Sequence, residues 1–154
     1  WREWRHDGSL DWHLLDYPEH RGIQDWVRDL NHFYRDEPAM HQLDFEAGGF
    51  EWVDFHDVEN SVISFLRRGR DGTGPVLAVF NLTPMPRHAY RVGVPRGGWW
   101  QEVLNSDAPI YGGSGQGNFG GLEAAPGATQ GQSHSLMLTL PPLGAVFLRP
   151  EEQP

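Results

Sequence analysis

Cysteine and lysine are both absent from this sequence, and no apolar run approaches the ~20 residues that a membrane-spanning helix needs. Without cysteine there is no disulfide framework, no thiol nucleophile and no thiolate metal site. Without lysine the whole basic complement is 12 Arg, set against 21 acidic residues for a net charge of −9. The Arg-only usage reads as codon bias rather than chemistry. No stretch concentrates positive charge, so a nucleic-acid partner is not expected, and no membrane partner is expected either. The start lacks a basic, apolar, small-residue leader, which together with the missing cysteine makes a cytoplasmic setting the expectation. Catalytic signatures are scarce too. There is no HExxH pair and no GxSxG elbow. The run GSGQGNFGG at 113–121 is followed by Pro126 and further Gly rather than by a helix, which makes it a flexible connection and not a phosphate cradle.

What is present fits a folded chain. Its 154 residues allow one ordinary domain, or a small domain with an appendage, and 19 Gly, 12 Pro and seven Trp punctuate it. It opens at Trp1 rather than at Met, which suggests a piece of something larger. Residues 1–16 mix three Trp with charges at no clean period, as a packed or functional loop would. From Pro18 the apolar residues Ile23, Trp26, Val27, Leu30, Phe33 and Tyr34 make one helical stripe. Asp16 can cap that helix, Pro18 suits its first turn and Pro38 stops it. A short helical piece through Ala39, Met40 and Leu43 is expected next.

After Gly48 and Gly49 the pattern turns to strands, expected at 50–55, 61–68, 76–82, 89–94, 100–105, 135–140 and 145–149. Gly- and Pro-rich turns separate them, and no helical segment intervenes, so the expected fold class is mainly β, an antiparallel sandwich. Leu136, Leu138 and Leu140 should face its core, with Met137 and Thr139 outward. Residues 111–131 read as a long loop or a partly disordered one.

Two residue sets invite chemistry. His6 and His13 lie near Asp7, Asp11 and Asp16, but proximity in sequence does not supply convergent ligand geometry, and loop-bracing hydrogen bonds are the better reading. No metal, cofactor or catalytic residue is assigned. Large flat side chains beside polar ones suit sugar faces as well as cores. Trp26 lies on the helical stripe and reads as core, and Trp99 and Trp100 must point to opposite faces of a strand.

The segments EWRHDGSLDWHLLD, GIQDWVRDLNHFYRDEPAMHQLDF, GFEWVDFHDVENSVISFLRR, NLTPMPRHAYRVGVP and SHSLMLTLPPLGAVFLRP follow one another in the order found in the C-terminal part of 1,4-α-glucan (glycogen) branching enzymes. The resemblance runs nearly end to end. It implies membership of the α-amylase superfamily and a split at about residue 46. Residues 1–46 would be a loop and the last helix of a (β/α)₈ barrel, and 47–154 the C-terminal β-sandwich. The partners it implies are an α-glucan (glycogen or amylose) and the missing barrel. In that family a carboxylate nucleophile and a second carboxylic acid carry out a retaining double displacement. Those groups lie in barrel segments that this sequence does not contain, and Glu3, Asp7 and Asp11 match none of them. The chain alone is therefore expected to be inactive; a stand-alone glucan-binding or interaction module is the alternative.

Three expectations follow. The stripe Ile23, Trp26, Val27, Leu30 should be exposed or buried in a dimer, since its barrel is missing. The region up to about Asp44 should be the less stable part. If the chain touches glucan, Trp52 on the sandwich should do so with Asp54 beside it on one strand face, and Trp4 and Trp12 should contribute at the barrel lip. Burial of Trp52 in the seam between sandwich and barrel is the competing reading for that residue.

Overall fold

In the computed structural model, described for residues 6–70 and 73–151, the chain enters through a 3₁₀ turn at Trp12–Asp16 and continues into α1 (Pro18–Asp36). Pro18 occupies the first turn of that helix, as expected. Asp16 does not cap it. Tyr17 holds the cap position without a side-chain bond, and Arg21 instead donates to the Leu15 carbonyl at 3.0 Å. The expected helical piece beyond Pro38 is one 3₁₀ turn, Pro38–Met40. No helix among the described residues is long and apolar enough to cross a membrane.

Eight antiparallel strands follow: β1 (Phe50–Asp57), β2 (Val62–Arg67), β3 (Val76–Asn81), β4 (Arg87–Val94), β5 (Gly98–Asn105), β6 (Gly121–Thr129), β7 (Gln132–Leu140) and β8 (Gly144–Pro150). They form one curled sheet in the order β1-β2-β3-β8-β5-β6-β7-β4. The fold is mainly β, as the sequence pattern implies. β6 is the strand that pattern misses, because residues 111–131 read as loop. Its first half pairs with β5, up to Ala124 opposite Gly98, and its second half pairs with β7, from Ala125 opposite Ser135. Gly121, Pro126 and Gly127 hide this strand from any propensity argument, yet they suit one that turns the corner between two layers.

Curling brings the layers face to face over a core of Val53, Val62, Leu66, Leu77, Val79, Val92, Val94, Trp100, Leu136, Leu138, Leu140, Val146 and Leu148. The three Leu of β7 are fully buried and Met137 is exposed, which the alternation predicts. Of the adjacent Trp pair, Trp100 is fully buried, with its indole N–H on the Arg96 carbonyl at 3.2 Å, and Trp99 stays 42% exposed.

The expectation of an undocked helix needs correction. A second cluster of Val76, Ala78, Leu104, Ala145 and Phe147 lies on the outer face of the sheet, and Trp26, Leu30 and Phe33 of α1 pack on it. The helix buries one edge of its stripe on its own sheet. The other edge, Ile23 and Val27, is exposed, as are Leu10, Trp12 and Tyr17 just before it. The N-terminal region is also tied down by polar contacts. Asp44 accepts from Tyr34 at 2.7 Å and pairs with Arg67, and Tyr111 donates to Asp29 at 2.9 Å.

Candidate functional site

The outer face of the sheet carries a row of aromatic rings that starts under α1 and ends in solvent. Phe33 of the helix meets Phe147 edge-on at 5.7 Å, Phe147 meets Phe80 at 6.0 Å, and Phe80 stacks on Phe65 at 5.8 Å. From Phe65 the row reaches Phe50 at 5.1 Å and Trp52 at 5.9 Å, both on the edge strand β1. Phe55 closes it, 5.2 Å from Trp52. Trp52 is 47% exposed although Phe50 and Phe65 stand at 87° and 88° to its ring. Its conformation is fixed by packing, and one side of it remains open. A flat apolar surface already held in place is what a hexose ring needs to stack on, since binding then orders little else.

Asp54 is not part of that surface. In the pairing of β1 with β2, Trp52 stands opposite Phe65 and Asp54 opposite Ser64, so two steps on β1 match one on β2. The bulge at Val53 breaks strict alternation and puts Asp54 across from a buried residue. Its carboxylate accepts from Gln130 at 3.0 Å and from the His56 backbone N–H at 2.8 Å, bracing the gap between β1 and the β6–β7 turn. Phe55 takes the place beside Trp52 that alternation reserves for Asp54. The nearest polar ring is that of His56, 3.9 Å from Phe55 and exposed. Sequence reasoning missed Phe55 as part of the surface; the three aromatics within FEWVDF were the available signal.

One other predicted contact lies elsewhere. Trp12 is 60% exposed on the turn that leads into α1, a different element from the row on β1. Trp4 lies outside the described residues. Among the described residues no three or more His, Cys, Asp or Glu group as a metal site.

The rim where β1 faces β4 and β7 is held by a chain of carboxylates. Glu51 accepts from Arg68 at 2.6 Å and from Gln132 at 2.6 Å, and the Arg68 hydrogen bond leads in holding its carboxyl below the usual 4.5. Burial pushes Asp57 up, but hydrogen bonds from Tyr90 (2.6 Å) and Asn60 outweigh it and leave the group below its ordinary value. Burial and then Asp57 push the Tyr90 phenol upward. These contacts lock β1 in place beneath the aromatic row. None of these rim contacts is arranged around a reacting atom.

The chain is similar to known proteins along nearly its whole length. Residues 52–151 match the family described as the α-amylase C-terminal all-beta domain. The 1,4-α-glucan branching enzyme GlgB of Aquifex aeolicus is 58% identical over 150 residues, which is 97% of this chain and 24% of that protein. The 1,4-α-glucan branching enzyme GlgB of Cereibacter sphaeroides and GlgB 2 of Xanthomonas campestris are 58% and 53% identical over 149 and 152 residues, covering 20% and 21% of their lengths. An α-amylase structure from H. orenii superposes on 84% of the chain and 20% of its own length, at 20% identity and a TM-score of 0.49. The chain thus spans about a fifth to a quarter of the relatives it matches.

Proposed function

The chain belongs to the α-amylase C-terminal all-beta domain family, and from that premise we propose that it is the C-terminal part of a glycogen branching enzyme. The observation that carries the proposal is the reach of the similarity. The family model begins at Trp52, whereas identity with the Aquifex aeolicus branching enzyme extends over 150 residues and therefore includes α1 and the turn before it. The helix and the β domain are similar to the same relative as one continuous stretch.

In this reading the complete enzyme cleaves an α-1,4 glucan, holds the piece on a carboxylate and transfers it to a 6-hydroxyl, in the cytoplasm. This part supplies none of the reacting groups. It docks the catalytic barrel through α1, which works as a two-sided spacer. Trp26, Leu30 and Phe33 hold the sheet, and Ile23 and Val27, with Leu10, Trp12 and Tyr17, meet the barrel. Residues 1–46 are then the end of the barrel and 47–154 the β domain. Trp52, flanked by Phe50 and Phe55, gives an incoming glucan chain a surface to stack on.

The test is a chimera in which residues 1–154 replace the matching stretch of the Aquifex aeolicus enzyme. It is expected to form α-1,6 links in amylose, and Trp52→Ala in it should weaken glucan binding while the fold persists. A chimera that folds but forms no branches would overturn the reading. Unchanged glucan binding after Trp52→Ala would remove that residue from the surface.

A further inference from the structure

We infer that Tyr111 is a positioning residue: from the turn at Pro109–Tyr111 it seats the first half of α1, and through Arg21 it sets the Trp12–Asp16 turn that precedes the helix. The inference rests on the branching-enzyme reading only for what that turn borders. In that reading α1 is the last helix of a (β/α)₈ barrel, and the segment before a barrel helix lies on the face where such barrels hold their active sites.

By composition the run GSGQGNFGG at 113–121 is a flexible connection. The structure makes it a brace. Asp107, just past the end of β5, accepts from the Ser114 backbone N–H at 2.9 Å, from the Ser114 hydroxyl at 2.6 Å and from the Gln116 N–H at 3.0 Å. Farther along, the Asn118 amide donates to Glu102 of β5 at 2.6 Å and accepts from the Thr139 N–H of β7 at 2.8 Å. A segment tied in this way to two strands of the sheet opens only when they do. The turn at Pro109–Tyr111 is therefore a fixed post beside α1.

Three contacts join the post to the helix. Gly22 is buried, and a Cβ there would run into the Tyr111 carbonyl. Trp26 meets the Tyr111 ring edge-on at 5.2 Å, and the Tyr111 hydroxyl donates to Asp29 at 2.9 Å. Positions 22, 26 and 29 follow the i, i+4, i+7 spacing of one helix face. Contact along two turns of that face fixes the distance of α1 from the post and also its rotation about its own axis.

Arg21 carries that placement to the preceding turn. It stands one residue before Gly22, and its guanidinium donates twice to the Leu15 carbonyl, from Nε at 3.1 Å and from a terminal nitrogen at 3.0 Å. The backbone bonds within the turn, Leu14 N–H to the Asp11 carbonyl and Tyr17 N–H to the Leu14 carbonyl, are local. They shape the turn, and the Arg21 fork ties it to the helix. What the turn presents is Trp12, 60% exposed. A β-domain residue 99 positions later in the chain thus sets where Trp12 stands at the mouth of the barrel. A lip held in place before glucan arrives spares the cost of ordering it on binding.

The experiment has two arms. In the full chain labelled with ¹⁵N, Tyr111→Phe keeps the ring on Trp26 and removes only the hydroxyl. It should move the Leu14 and Tyr17 amide signals and the Trp12 indole signal, and leave the Leu136 and Leu138 amides of β7 in place. Arg21→Gln should move the same turn signals without moving the amides of Gly112 and Gly113. In the chimera, Tyr111→Phe should raise KM for amylose about fivefold, the scale of one hydrogen bond, with kcat nearly unchanged. A role in stability alone would lower the active fraction and hence kcat, not KM. Turn signals that stay in place in either variant overturn the inference, as does movement that spreads equally to β7. An unchanged KM in a chimera that forms branches overturns it as well. The first arm is independent of the branching-enzyme reading: an inactive chimera whose turn signals respond to Tyr111→Phe removes that reading and supports the coupling.

Discussion

A methyl group at position 22 would lie 2.3 Å from the Tyr111 carbonyl oxygen, so Gly22 is what lets α1 approach the turn at Pro109–Tyr111 closely. Glycine inside a helix costs about 1 kcal/mol relative to Ala. That loss is tolerated here because the close approach also brings Trp26 against the Tyr111 ring at 5.2 Å. Polar residues act as specifically. Glu51 sits lower than the usual 4.5 because it accepts hydrogen bonds from Arg68 and Gln132, both absent in the unfolded chain. A folded value below the unfolded one contributes stability that is complete above 4.5 and is lost as the pH falls through the lowered value. Asp57 adds a contribution of the same sign. Unfolding midpoints in urea should therefore hold steady from neutral pH to about 5 and then decline. Glu51→Gln should start lower at neutral pH and decline less steeply. An identical acid slope in that variant would show that the rim carboxylate is not responsible. At this scale the sequence misled about Asp54, because an extra residue in a strand leaves no mark that distinguishes FEWVDF from a regular one.

Elements show where both sides of a pattern must be satisfied. β3 reads VLAVFN, and its two faces belong to two different cores, Leu77 and Val79 inward and Val76 and Ala78 outward beneath α1. A strand apolar at both parities is covered on both faces. That pattern was the available sign that a helix lies on the sheet, and reading β3 only as a sandwich strand led to the undocked helix. The stripe on α1 is wider than one contact needs, and its two edges can be separated experimentally. Trp26→Ala should destabilise the chain by about 2 kcal/mol, less than a fully buried Trp would cost, since the side chain is half-buried. Ile23→Ser with Val27→Ser should leave the unfolding midpoint nearly unchanged, because both residues face solvent, and should reduce self-association at high concentration. Chemical denaturation and light scattering read the two effects separately. A large stability loss from the Ser pair would mean that the exposed edge is already packed.

In the proposed reading the whole molecule is divided, with contact surfaces in this chain and the reacting groups in the barrel. Exposed aromatics and a half-covered helix lie on one outer face of the sheet. Purified residues 1–154 should therefore form no α-1,6 links and release no reducing ends from amylose. New branches formed by homogeneous chain, above a buffer control, would show that the division is wrong. The strand-rich body, the helix from Pro18 and the inward Leu row of β7 are consequences of the sequence alone, because periodicity and proline placement act within a few residues. β6, the bulge at Val53 and the docking of α1 were decided by the tertiary structure. Each depends on what lies across a strand pair or beneath a helix, contacts between residues far apart in the chain. Gly121 and Pro126 are poor strand formers that become a strand because β5 and β7 offer them partners on either side of a corner. Trp52 stays in solvent because Phe50 and Phe65 already occupy the space beneath it.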